Sequence, residues 1–175
     1  VGFGSMPSQD PARLAALASE ALRLAGQRGV LFTGIGVLGQ GMAEQANARD
    51  VFFLESAPHD WLFPRMAAVV HHGGSGTTAA GLRAGVPSVL VPVGTDQLLW
   101  AQRITDLGLG PDPIPRARLT SNRLAKAIRE AVSDPGMRER AGGLGEKLRA
   151  EDGVGEAVRI VERCLPPPIT RPRSG

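Results

Sequence analysis

Cysteine is nearly absent from this sequence of 175 residues, with Cys164 the one example. That excludes an internal disulfide framework and fits a reducing compartment. Long apolar runs are missing too: none approaches the roughly 20 residues that span a bilayer, and no secretory leader pattern opens the chain. Lysine is scarce, two against eighteen arginines, and the net charge is only +3. Apart from Arg171 and Arg173, the arginines are dispersed among acids along amphipathic segments, which argues against a nucleic-acid partner. Paired Cys or His spacings for zinc are lacking, as is an Asp-x-Asp pair for a divalent ion, so no metal is expected. An initiator methionine is also missing. The opening "VGFGSM" reads as the end of a buried strand, so the expectation is a piece cut from a longer protein.

What is present describes a globular domain. Apolar residues make up 42% and charged residues 21%, and the length suffices for one hydrophobic core. Amphipathic runs alternate with short apolar ones. "PARLAALASEALRLAGQRG" carries Leu14, Leu17, Ala18, Ala21, Leu22 and Ala25 at helical spacing, with Ser8 or Asp10 as cap and Pro11 at the first helical position. Strands are expected in "VLFTG", "VFFLES", "AAVVHH" and "SVLVPV". Helices are expected near 42–48 and 76–84, from Asp96 to Leu107, and over 121–132, 135–149 and 155–164, with one turn in "HDWLFPRM". This alternation predicts an α/β fold, a Rossmann-like parallel sheet with helices on both faces. Residues 1–165 form the expected domain and 166–175 a disordered tail.

Ligands of such sheets bind outside the carboxyl ends of the strands, which directs attention to the turns. "VVHHGGSGTT" places His72 at a strand end, then Gly74, Ser75 and Gly76, then Thr77 and Thr78 at a helix N-terminus. Free N–H groups and the helix dipole there favour an anion such as a phosphate, small residues let it approach, and hydroxyls and an imidazole add donors. The same residues also describe a plain tight turn with a half-buried histidine. "GGSGT" nearly copies a serine-hydrolase elbow, but Thr77 stands where that motif needs glycine. Ser5, in "FGSMPS", can reach the same anion if its strand lies beside the one ending at His72. Asp96 and Gln97 follow "SVLVPV" and suit the vicinal hydroxyls of a sugar, or Asp96 simply caps the next helix. "GIGVLG", residues 34–39, imitates a dinucleotide fingerprint with Glu55 beyond it. Only eleven residues separate Gly39 from Val51, too few for the expected helix, which weakens a nicotinamide-dependent oxidoreductase reading.

Together the motifs "FGSM", "SAPHDWLFPRMAAVVHHGGSGTTAAGLRAGVP" and "PVGTDQLLWAQRITDLGLG" resemble the C-terminal, donor-binding half of a GT-B glycosyltransferase. The resemblance is to family 1 enzymes of the sterol-glucosyltransferase and macrolide or glycopeptide type. It implies that His72 contacts the donor's phosphate, that Gly74, Ser75, Gly76 and Thr77 bind the diphosphate with Ser5 near it, and that Asp96 and Gln97 hold the sugar. It also implies that Ala57 and His59 border the base and ribose. Ser56 and Ala80 replace the tryptophan and glutamate of the plant branch, so base recognition differs; UDP-glucose is the first expectation and a dTDP-sugar the second.

The implied reaction is inverting transfer of the sugar to a lipid or natural-product hydroxyl in the cytoplasm, with the nucleotide sugar as substrate and no cofactor. The family's general base lies in an N-terminal acceptor domain absent from this sequence. The chain alone is therefore expected to bind donor and turn over little, and to expose an interdomain face through which it can self-associate. A stand-alone subunit of a two-chain glycosyltransferase is the alternative.

Overall fold

The computed structural model describes residues 1–3, 11–32, 50–94 and 96–165. Its elements are α1 (Pro11–Ala25), β1 (Gly29–Phe32), β2 (Val51–Leu54), α2 (His59–Leu62) running into a 3-10 turn (Phe63–Arg65), β3 (Val69–His71), α3 (Ser75–Ala84), β4 (Ser88–Leu90), α4 (Asp96–Asp106), α5 (Ser121–Ser133), α6 (Pro135–Ala150) and α7 (Gly153–Cys164). The expected α/β alternation is therefore present. The helix expected near 42–48, the caps Ser8 and Asp10, the 34–39 glycine loop, Ser5 and the tail all lie outside the described residues.

Strands are shorter than their apolar runs for local reasons. β3 stops at His71 because the backbone turns away at Gly73, whose φ of 94° is open to glycine at little cost. The β4 ladder fades because Pro92 has no N–H to give, although Val91 still donates to the His71 carbonyl at 2.9 Å. Helix α7 starts two residues before the sequence suggests, since the Asp152 carboxylate accepts from Gly155 N at 3.0 Å and caps it there. Asp134 does the same for α6, accepting from Met137 N at 3.0 Å with Pro135 in the first turn.

Both ladders, β1 with β2 and β3 with β4, are parallel. Residues 1–3 weld them together. Phe32 N donates to the Val1 carbonyl (2.9 Å), Gly2 N donates to the Val70 carbonyl (2.9 Å), and Gly2 bridges His71 in parallel. The sheet order is thus β2, β1, residues 1–3, β3, β4. Beyond β4, Ile114 and Arg116 donate to the carbonyls of Leu90 and Pro92. Pro113 and Pro115 have no N–H, which suits a sheet edge closed to further pairing.

Alternation along the strands sends Val70, Val89 and Val91 to one face, under Ala21, Leu22 and Ala25 of α1 and Leu124 and Ile128 of α5. Leu90 goes to the other, against Ala101 and Ile104 of α4 and Ala141 of α6. Val69 shares that second face with Leu62, Phe63 and Val86. Helices cover both faces, as parallel strands require.

Chain order now locates a site. From the central row of residues 1–3 the chain builds outward to β1 and β2 on one side, then returns to build β3 and β4 on the other. Strand order reverses between Phe3 and β3, and ligands of open parallel sheets bind at that crevice. His72 is the first residue past it.

Candidate functional site

His71 and His72 have opposite jobs. The His71 ring is 1% exposed, and its Nδ1 accepts the Gly73 N–H at 3.1 Å. That bond fixes the tautomer with the proton on Nε2, which has no hydrogen-bond partner among the described residues. Burial, then the neighbouring charges of His72, the N-terminal amine and His59, pull its pKa from 6.5 to about 3. His71 is therefore neutral and pins the turn that begins the crevice. The sequence shows the histidine doublet but not this division of labour.

A stability consequence follows. The unfolded chain protonates this ring below pH 6.5, whereas the folded chain resists until about pH 3. Stability is fully present above 6.5 and is lost as pH falls across that window. Urea unfolding measured through the window is expected to show this loss. His71→Asn, which keeps an acceptor for Gly73, should flatten part of it. An unchanged slope in the variant would contradict the assignment.

His72 is half-buried and stands over the start of α3. A Cβ built on Gly74 would lie 2.5 Å from His72 Nε2, so the imidazole occupies the space above that glycine. Burial lowers its pKa below the ordinary value, and the carboxylate of Asp96 opposes that shift. The ring is a neutral donor at neutral pH, able to strengthen as negative charge builds beside it.

Helix α3 begins at Ser75 with Gly74 as N-cap and no side-chain cap. Its first internal bond runs from Thr78 N to the Gly74 carbonyl at 2.9 Å. The N–H groups of Ser75, Gly76 and Thr77 precede that bond and have no partner within the helix. Ser75 and Gly76 are exposed, and a Cβ on Gly76 would meet nothing within 4 Å. One expectation is corrected here. The Thr78 hydroxyl adds no donor for an anion, because it is turned inward and donates to the Gly74 carbonyl at 2.9 Å.

The third turn closes against the first. Gln97 is buried; its Oε1 accepts from Val93 N at 2.8 Å, and its backbone carbonyl would be 3.2 Å from a Cβ on Gly73. Asp96, exposed at the first turn of α4, faces the same space as His72. His72, Gly74, Ser75, Gly76, Thr77, Asp96 and Gln97 are thereby drawn together at one strand edge. Ala57 and His59 are not joined to them by any hydrogen bond among the described residues. Ala57 packs on the Leu62–Phe63 cluster, and the His59 ring stacks on Phe63 (4.4 Å) with its edge to Phe32 (6.1 Å). Ser5 lies outside the described residues; Gly2, upstream of it, pairs with His71 of β3. Trp61 is 54% exposed beneath the Arg65 guanidinium, and Trp100 is 37% exposed.

Comparison with known proteins bears on the family and the fold. Residues 41–164 match the family model "Erythromycin biosynthesis protein CIII-like, C-terminal domain". A sterol 3-beta-glucosyltransferase of Arabidopsis thaliana is 45% identical over 99% of this chain, and the chain spans 28% of that protein. The O-mycaminosyltylonolide 6-deoxyallosyltransferase of Streptomyces fradiae is 49% identical over 70% of this chain, which spans 29% of it. Among solved structures, the glycotransferase of kitacinnamycin superposes with a TM-score of 0.80 at 32% identity, over 94% of this chain and 42% of its own. The chain thus spans less than half of each of these relatives.

Proposed function

The chain belongs to the erythromycin biosynthesis protein CIII-like C-terminal domain family, and on that premise we propose that it binds a nucleoside-diphosphate sugar as the donor half of an inverting glycosyltransferase. One observation carries the reading. The uncapped N-terminus of α3 and the neutral His72 imidazole share the crevice where strand order reverses. A diphosphate set there meets the N–H groups of Ser75, Gly76 and Thr77, and needs no side-chain cation for its first contacts.

The chemistry is then one of leaving-group stabilisation. As the bond between sugar and diphosphate breaks, charge grows on the phosphate oxygens beside fixed N–H donors and an imidazole N–H. Donors already aimed at that charge reorganise little, which is how such groups lower a barrier. Asp96 and Gln97 are the proposed partners of the sugar hydroxyls, and Gln97 Oε1 also holds the loop by accepting from Val93 N. UDP-glucose is the favoured donor and a dTDP-sugar the second, with a lipid or natural-product hydroxyl as acceptor. Among the described residues, no further side chain of the crevice is assigned as base for that acceptor. A second domain is therefore proposed to supply it, and exposed Val93, Leu98 and Leu99, which flank Asp96, suit a face that meets one.

Titration calorimetry of the chain against UDP, dTDP and NAD tests this. UDP or dTDP is expected to bind and NAD is not, and no sugar transfer to an added alcohol is expected from the chain alone. NAD binding, or no binding to a chain shown to be folded, would remove the proposal.

A further inference from the structure

Arg116 has no role in the reading so far. Its backbone N–H donates to the Pro92 carbonyl at 3.0 Å, which puts it at the carboxyl end of β4. Its side chain then runs back over the sheet, and the guanidinium sits 5.6 Å from the centre of the Phe3 ring. Phe3 belongs to the central row, and Gly2 pairs with His71, so the neighbour of Phe3 across that pair is His72. The guanidinium and the Phe3 ring therefore meet over the carboxyl ends of β3 and β4, beside the crevice.

Most described arginines hold a protein partner or stand in water, and Arg116 does neither. Arg23 and Arg159 hold glutamates, and Arg65, Arg123, Arg129, Arg140 and Arg149 donate to carbonyls. Arg28, Arg83, Arg103, Arg118 and Arg138 are exposed to water. Arg116 is half-buried, donates to no acceptor from its side chain, and has no carboxylate against it among the described residues. Burial alone pulls its proton affinity down. The face of Phe3 stabilises the charge, but it leaves the planar fork of N–H donors unused.

We propose that Arg116 is a phosphate-binding residue of the donor crevice, reaching from the far edge of the sheet to the diphosphate that α3 and His72 hold from the other side. The inference rests on the donor-binding reading and adds to it a fixed positive charge that a helix N-terminus does not supply. A guanidinium engages two phosphate oxygens at once, so it discriminates a diphosphate from an uncharged nucleoside.

The test compares the chain with Arg116→Gln and Arg116→Lys by calorimetry against UDP and uridine. Circular dichroism melts report on the fold of each. Arg116→Gln is expected to weaken UDP about tenfold or more and to leave uridine within about twofold, while Arg116→Lys falls between. Equal UDP affinity in the glutamine variant overturns the proposal. So does an equal loss for UDP and uridine, or a loss of fold in the glutamine variant that lysine rescues without restoring discrimination. Failure of the unsubstituted chain to bind UDP overturns the donor reading as well, and so is told apart from a failure of Arg116 alone.

Discussion

A Gly74→Ala chain keeps its fold and loses UDP affinity by about as much as His72→Ala, roughly 10- to 100-fold in each case. The backbone at Gly74 (φ −61°, ψ 141°) suits any residue, so the new methyl strains nothing in the main chain. What it meets is the end of a side chain, with His72 Nε2 at 2.5 Å and Cε1 at 3.1 Å. The ring must swing away, and the phosphate then loses its imidazole donor. The double variant is expected to bind no worse than either single one, because both remove the same contact. Additive losses would show that the two residues act separately. Gly76→Ala is the contrast. Its methyl meets no protein atom, and the first helical turn gains, so its melting temperature should not fall. Weaker UDP binding by that variant would mark the methyl's place as the ligand's.

Gly110→Ala is expected to destabilise the chain by about 3 kcal/mol or more, a fall of roughly 10 °C in melting temperature. The residue follows α4, where the chain passes beneath the start of β4 and Ser88 N donates to the Leu109 carbonyl at 3.0 Å. A Cβ there would lie 1.9 Å from the Ser88 carbonyl oxygen and 2.9 Å from Ile104. Backbone cannot step aside as a side chain can. Either β4 shifts, breaking its register with β3, or α4 lifts off Leu90. Gly143→Ala in α6 controls for helix propensity, since its methyl meets nothing and should stabilise by about 0.5–1 kcal/mol. Thermal melts of the two variants beside the parent decide the matter. A Gly110→Ala melt within a degree or two of the parent would mean that the close approach is absent in solution.

These two glycines differ in how visible they are. Gly74 sits in "HHGGSGTT", where strand end, small residues and helix start follow one another, so the tight strand-to-helix turn can be read from local order alone. The same holds for the alternation of strands and helices, whereas the cap at Asp152, which starts α7 two residues early, is not among the sequence expectations although its hydrogen bond is local. Gly110 lies in "LGLGPDP", which looks like any loop. Its importance comes from Ser88, a contact that only packing makes.

The candidate site divides along the same line. Local sequence determined the turn of His72, the helix start from Ser75 to Thr77 and the Asp96–Gln97 pair, since each depends on residues a few places apart. Tertiary structure alone decided that residues 1–3 are the central row, so that the strand preceding Ser5 lies beside β3 and the order reverses at His72. It also decided that His71, not His72, pins the glycine turn, that the Thr78 hydroxyl faces inward, and that Arg116 and Phe3 meet over the carboxyl ends of β3 and β4. Each of those is a matter of which face a side chain takes or which strand is its neighbour. Periodicity fixes the first only up to the choice of partner, and a parallel sheet leaves the second to connections spanning dozens of residues.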